Sequence, residues 1–499
     1  MRFWGRLAIA AACLVPISAA DPADAKDTFL IIGGGGGPTG NQISLEKNVS
    51  LFGNYLDETF GDGAERVCFF ADGDDSFRDL QFIDDSEFPA VNERLASIFG
   101  QAGNLRYRYR SSEVSGVRGA ATRENVQGWF ETEGRALSAG DRLFVYVTAH
   151  GSKGDRRSPT NTKLNLWNNQ SVDVREFHRW LTAVDPQVPV VVVMVQCYSG
   201  GFADMIYAES EEKPLPIDRP WCGFYATVPD RPAAGCTPDT REEDYHEYST
   251  YFFEALRGRS RTGEAVERPD FDGDGQTSLA EAHAYVLLES KTIDISITTS
   301  DQYLRKLEFE LPDGDERHGQ STPIDELRAQ ATAAQLAVLD GLIERLGVDA
   351  ADPWHGAEVL ADRMKDEKKE FDGRRQKLQQ ELSGIANRMK QQVLHHWPEL
   401  ANPWSPFAQR LIVDEGEAIC GMIESHESIA RYDELRAEQA QVGEEATERD
   451  RRWVKCQRLI RLLETLALQC DLASFGSLDE KETFARLEGL EQVVYAPGG

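Results

Sequence analysis

The sequence predicts an α/β fold, a mostly parallel sheet covered by helices on both faces, followed by an α-helical C-terminal domain. Three observations predict it. Between residue 27 and about residue 200, short apolar runs alternate with helical stretches, the pattern of strands joined by crossover helices. The run from Val190 to Val195 is unbroken and apart from Met194 entirely valine, as in a central parallel strand buried on both faces. From about residue 323 the chain turns to Ala, Glu, Leu, Gln, Arg and Lys with helical periodicity, interrupted near Pro353, Pro398 and Pro403.

The elements follow in chain order. Residues 1–25 read as a secretory signal: Arg2 and Arg6 form a basic start, 7–19 an apolar stretch, and Ser18-Ala19-Ala20 or Ala23-Asp24-Ala25 offers small residues for cleavage. The mature protein is therefore expected to be secreted or periplasmic. Strands are expected at 29–32, 66–71, 143–148 and 188–196, with helices at 44–56, 123–137 and 174–184 between them. Asp173, with Glu176 three residues on, opens the last of these in the manner of a capping box. A unit over 26–309, an acidic linker over 310–323 and a helical domain over 324–499 complete the expected division.

Charge and cysteine content narrow the function. The 499 residues carry 54 Lys and Arg against 84 Asp and Glu, a net of −30, which repels phosphate backbones and anionic membranes and attracts cations. Beyond residue 25 the longest strongly apolar run is 188–195, too short to cross a bilayer. Beyond Cys13 seven cysteines remain, and an odd count in an oxidising compartment leaves at least one free thiol. Cys222 can close a loop with Cys236, and Cys420 can pair with Cys456 or Cys470 across a helical hairpin turning near Gly443. Cys68 sits in an apolar run and reads as a buried hydrophobe, so Cys197 is the thiol of interest.

Two expected strands end in chemistry. One runs Phe144-Val145-Tyr146-Val147-Thr148-Ala149-His150-Gly151-Ser152, the other Val193-Met194-Val195-Gln196-Cys197-Tyr198-Ser199-Gly200-Gly201. Rigid strands fix reactive side chains, and the glycines let a substrate backbone approach. A thiol beside an imidazole becomes a nucleophile, and the amides of Gly151 and Cys197 can face a developing oxyanion. Residues 27–300, with His150-Gly151-Ser152 and Cys197-x-Ser199-Gly200, resemble the legumain-like and caspase-like cysteine peptidases. The stretch Tyr225-Ala226-Thr227 through Cys236 to Glu247-Tyr248-Ser249 is similar to legumain as well. This resemblance implies a caspase-like three-layer sandwich, a Cys197–His150 dyad and peptide-bond hydrolysis. It also implies a specificity pocket containing Glu247, with Tyr198 and Ser199 beside the substrate. Tyr198 stands where legumains carry Glu, and no arginine occurs between 27 and 65, where they place the pocket Arg. Glu247 without a nearby Arg fits a basic side chain instead of their Asn or Asp.

Asp270-Phe271-Asp272-Gly273-Asp274-Gly275-Gln276-Thr277-Ser278-Leu279-Ala280-Glu281 matches the twelve-residue EF-hand loop. Oxygens fall at positions 1, 3, 5, 9 and 12, Gln276 offers its carbonyl, and Gly275 allows the sharp turn. Calcium is the expected ion, holding an acidic loop ahead of a helix over 279–288. Gly35-x-Gly37-x-x-Gly40 matches the dinucleotide fingerprint formally, but a run of five glycines matches many patterns, and we read it as a turn at the rim of the site. The sequence thus predicts an exported, calcium-binding cysteine endopeptidase acting on protein or peptide substrates. The helical domain serves self-association, a partner or an inhibitory contact. The competing expectation is a catalytically inactive calcium-binding scaffold that binds a partner through its helices.

Overall fold

The computed structural model describes residues 26–207, 216–312 and 314–496; the expected signal segment, 1–25, lies outside them. The strands are β1 (Asp27–Gly34), β2 (Ala64–Phe70), β3 (Leu80–Ile83), β4 (Tyr107–Arg110), β5 (Val117–Gly119), β6 (Arg142–Ala149), β7 (Gly151–Ser152), β8 (Lys163–Leu166), β9 (Gln170–Asp173), β10 (Val190–Met194), β11 (Trp221–Tyr225) and β12 (Ile297–Thr298). The first helices are α1 (Ile43–Phe60), α2 (Ala90–Ile98), α3 (Arg123–Trp129), α4 (Val174–Leu181), α5 (Tyr248–Arg257), α6 (Leu279–Glu289) and α7 (Thr299–Leu304). Then follow α8 (Ile324–Ala329), α9 (Ala333–Leu346), α10 (Pro353–His396), α11 (Pro406–Asp414), α12 (Gly416–Glu424), α13 (Ile429–Phe475) and α14 (Leu478–Glu491).

A seven-stranded sheet, ordered β12-β11-β10-β6-β1-β2-β5, is parallel except where β12 runs against β11. Alternate side chains of its central strands enter two separate cores. Ile32, Val145, Val147, Val192 and Met194 pack with Val126 and Trp129 of α3 and Phe177 and Leu181 of α4. Phe29, Phe144, Tyr146, Val193 and Phe224 pack with Phe52 of α1, Phe252 and Phe253 of α5, and Val286 of α6 on the other face. Asp173 caps α4 by accepting from Glu176 N–H at 2.9 Å. The reciprocal half of a capping box is absent because Glu176 pairs with Arg123 instead.

The expected hairpin near Gly443 is not there. α13 runs unbroken through Gly443, whose neighbours Val442 and Ala446 are buried on one face. The reversal lies between α10 and α13 instead, at 397–428, where Pro398, Pro403 and Pro406 stop a continuous helix. α10 and α13, of 44 and 47 residues, are each roughly 70 Å long at 1.5 Å per residue. Cys420 packs in the cluster at one end of this pair, and Cys456 and Cys470 in the cluster at the other. All seven described cysteines are free thiols, Cys222 and Cys236 included. Among the described residues no helix is long and apolar enough to span a membrane.

The C-terminal segment returns to the sheet. Leu487 enters one sheet core and Tyr495 the other, while Val493 O accepts from Leu279 N–H at 3.1 Å. Glu491 is 4 % exposed and accepts from Ser300 N–H at 2.8 Å and Ser300 Oγ at 2.5 Å. Burial pushes its carboxyl up from 4.5 to about 8. The folded chain therefore holds this proton where the unfolded chain has released it. Its stabilising contribution is complete below about pH 4.5 and falls by about 1.4 kcal/mol per pH unit up to pH 8. Glu491→Gln is expected to remove this slope, so urea midpoints of variant and wild type should converge or cross between pH 5 and pH 8. Parallel profiles would refute the assignment.

Candidate active site

The register of the sheet brings the two motifs together. β6 and β10 pair in parallel with Val147 opposite Met194, and Val195 N–H extends the ladder to Val147 O at 3.0 Å. Three residues further along each strand stand His150 and Cys197, at the carboxyl edge where open parallel sheets place their ligands. Gly151 closes the gap: a Cβ there would lie 1.9 Å from Cys197 O and 2.9 Å from Cys197 C. Only a residue without a side chain allows these two strand ends to touch.

His150 is oriented from the glycine-rich loop after β1. Its Nε2 lies 2.8 Å from Gly40 O and 2.9 Å from Gln42 Oε1. Both neighbours are acceptors, so Nε2 carries the proton and Nδ1 keeps its lone pair. The loop is rigid: a Cβ on Gly35 would meet Gly40 O at 2.1 Å. Buried Asn41 accepts from Gly35 N–H at 3.1 Å and donates to Asp79 O and Asp79 Oδ2 at 3.1 and 3.2 Å. The glycines therefore make a compact turn at the rim of the site. Burial lowers the His150 pKa, opposed by its bond to Gly40.

Cys197 lies in the turn after β10, and the next residue, Tyr198, takes a left-handed conformation with φ of 62°. Such a backbone costs of order 1–3 kcal/mol in a residue with a side chain, and it turns the chain sharply behind the sulfur. The turn is pinned by Tyr198 N–H to Arg231 O at 2.9 Å and by Thr162 Oγ1 to Tyr198 O at 2.9 Å. Ala233 N–H donates to Cys197 Sγ at 3.3 Å. Burial raises the thiol pKa, the Asp294 charge adds to this, and the Ala233 and Cys197 amides oppose it. Thiol and imidazole are thus both held neutral, and among the described residues no hydrogen bond joins them. Asn165 N–H donates to His150 O at 2.9 Å, and Gly151 sits opposite Leu164 in that antiparallel pair. This is the non-hydrogen-bonded position, so the Gly151 amide is not used by the ladder.

The other expected substrate contacts separate. Ser199 is fully buried and spends its hydroxyl on Thr227, accepting from N–H at 3.2 Å and donating to O at 3.4 Å. It shapes the turn and presents no surface to a substrate. Tyr198 lies at the rim, with Lys153 Nζ 5.6 Å from its ring centre. Glu247 is 4 % exposed and packs behind Gly235, two residues from Ala233. It has an arginine after all: Arg261 Nη2 lies 3.2 Å from Glu247 Oε1 and donates to Asn48 Oδ1 at 2.5 Å and Thr250 Oγ1 at 3.0 Å. Arg261 comes from the loop after α5, far in sequence from residues 27–65. The paired Glu247 presents no lone negative charge, which removes the ground for a preference for basic side chains.

In the acidic loop, carboxylate oxygens of Asp270, Asp272 and Asp274 lie within 4.8 Å of one another. Gly273 and Gly275 make the turn with φ of 79° and 84°. Gly275 N–H bonds Asp270 Oδ2 at 3.1 Å, Asp274 N–H bonds Asp272 Oδ1 at 3.0 Å, and Gln276 N–H bonds Asp274 Oδ1 at 2.7 Å. Three hard oxygen donors so gathered could hold a metal ion. Ser278 and Glu281 are engaged elsewhere. They form the capping box of α6, and Glu281 Oε1 also accepts from Phe271 N–H at 2.6 Å. The structure gathers positions 1, 3 and 5 of the loop, while position 9 is committed to the helix cap and position 12 to that cap and the Phe271 amide.

No protein-family model and no curated protein matches this chain. Among solved structures it is similar to the crystal structure of protein GSU0716 from Geobacter sulfurreducens, at 11 % identity and a TM-score of 0.30, over 52 % of this chain and 88 % of that one.

Proposed function

We propose that this chain is an exported, calcium-binding cysteine endopeptidase with a caspase-like three-layer sandwich, in the manner of the legumain-like and caspase-like peptidases. The observation that carries this reading is the contact of Gly151 with the Cys197 carbonyl, which sets His150 and Cys197 side by side at the ends of adjacent strands. A peptide carbonyl brought to the strand ends is attacked by Cys197 Sγ as the thiol proton passes to His150 Nδ1, the free ring nitrogen. Because both groups start neutral, deprotonation and attack are coupled, and no standing thiolate is required. The Gly151 and Cys197 amides support the oxyanion. Collapse expels the amine, which takes the proton from His150 and leaves a thioester that water then hydrolyses. Asp270, Asp272, Asp274 and the Gln276 carbonyl would hold the calcium, which supplies a rigid cross-link to the loop ahead of α6.

The test is cleavage of a mixed peptide library by wild type and Cys197→Ala, each with calcium and with chelator. Wild type should cleave, and Cys197→Ala should fall by a factor of about 10³ or more. Chelation should lower both activity and melting temperature if the loop is loaded. Equal rates for the two proteins would refute the nucleophile. Absence of cleavage by wild type would favour the inactive scaffold.

A further inference from the structure

Resting on the peptidase reading, the connections between the C-terminal helices and the nucleophile turn carry one step more. Arg458 lies in α13, between the buried Cys456 and Leu459, and is itself 2 % exposed. A guanidinium so placed must satisfy its donors within the protein. It does so on one short segment. Nη1 donates to Leu287 O at 3.0 Å and Ser290 O at 3.5 Å, Nη2 to Thr292 Oγ1 at 2.9 Å, and Nε to Asp294 O at 2.9 Å. These acceptors are the end of α6 and the loop that follows, so a cation from a distant helix closes the C-terminus of α6.

That loop in turn holds the residues behind Cys197. Asp294, fully buried, accepts from Ala234 N–H on Oδ1 at 2.7 Å, and the preceding amide, Ala233 N–H, donates to Cys197 Sγ. A second connection runs beside it. Trp453, also in α13, receives the Arg231 guanidinium over its ring at 4.7 Å, Arg231 Nη2 donates to Ile293 O at 3.4 Å, and Arg231 O accepts the Tyr198 N–H. Residues 231–234 are therefore held between the nucleophile turn on one side and α13 with the 292–294 loop on the other.

We propose that α13 is a fixed buttress of the active site, with Arg458 and Asp294 as positioning residues that hold the Ala233–Ala234 amides against Cys197. The helical region is then part of the working enzyme and not a segment removed to release it. Arg458→Lys keeps the stem and the charge but loses the guanidinium that spans four acceptors. Arg458→Leu loses both and leaves Asp294 uncompensated.

The experiment is the pH dependence of Cys197 alkylation by iodoacetamide on the full-length protein, read on the Cys197 peptide by mass spectrometry beside a thermal melt. Arg449→Leu, elsewhere on α13 in a half-buried pair with Glu367 of α10, is the control. The alkylation midpoint should move up by about one pH unit in Arg458→Leu, a tenfold slower reaction below the midpoint. Arg458→Lys should move it less, and Arg449→Leu not at all. Adding Asp294→Asn to Arg458→Leu keeps an acceptor for Ala234, removes the unpaired charge and should restore part of the shift. If Arg458→Leu does not fold, Arg458→Lys alone carries the comparison. A cooperatively melting Arg458 variant with the wild-type midpoint overturns the proposal. Alkylation needs no substrate, so failure of wild type to cleave peptides would count against the peptidase reading and leave this result legible.

Discussion

Gly151→Ala is expected to cost at least about 10²-fold in peptide cleavage although neither reactive residue is itself substituted. The added methyl would stand 1.9 Å from Cys197 O and 2.9 Å from Gln196 Cγ. The first of these neighbours is backbone, so no rotamer change relieves the contact. The ends of β6 and β10 must part, and displacements near 1 Å at reacting groups cost factors of this size. Overpacking of this kind also lowers stability, by about 1–3 kcal/mol, which a urea titration reads independently. Gly37→Ala is the matched control. Gly37 belongs to the same rim, has extended backbone with φ of 178°, and a Cβ there meets nothing within 4 Å. It should leave stability within about 0.5 kcal/mol of wild type. An active Gly151→Ala would mean that the strand ends need not touch, and the geometric case for the dyad would go with it.

The parts of this site that the sequence disclosed are those with a local signature. Val190–Met194 and Arg142–Ala149 stand out as buried runs followed within three residues by Cys197 and His150, and parallel pairing of such runs puts their ends together. The spacing of Asp270, Asp272 and Asp274 with Gly275 likewise lies within one short segment, and the carboxylates do converge. What stayed hidden depends on residues far apart in the chain. Arg261 finds Glu247 because the loop after α5 folds back over α1, where Asn48 receives it. Ala233 matters through its amide, which no residue type advertises. Gly443 misled for the opposite reason: a glycine marks a turn only when nothing else holds the helix. Here Val442 and Ala446 bury the flanking face against α10, which offsets the roughly 1 kcal/mol that glycine costs in a helix. Arg458 has no local signature in the sequence, and only its burial and hydrogen bonds reveal that it ends another helix.

Tyr495→Ala is expected to destabilise the sheet by about 3–5 kcal/mol, the cost of emptying a large aromatic site in a core. Tyr495 is 4 % exposed, and its ring centre lies 5.8 Å from that of Phe29, 6.1 Å from Phe60 and 5.1 Å from Phe144. Arg142 lies over the same ring at 4.7 Å, and Tyr495 O accepts from Tyr55 Oη at 3.0 Å. The last residues described thus complete a core to which β1, α1 and β6 also contribute. The hydroxyl separates packing from polarity, because Tyr495 Oη is buried without a hydrogen-bond partner among the described residues. Tyr495→Phe keeps the ring and removes an unsatisfied group, so it should be neutral or stabilising, where Tyr495→Ala is severe. Urea unfolding of the two variants followed by sheet and helix signals decides the matter. If both signals fall together, α14 and its tail melt with the sheet, and cutting the chain ahead of the helices would unfold the site. A loss below about 1 kcal/mol in Tyr495→Ala would instead make the tail a dispensable cover, and the helical region a module the sheet can do without.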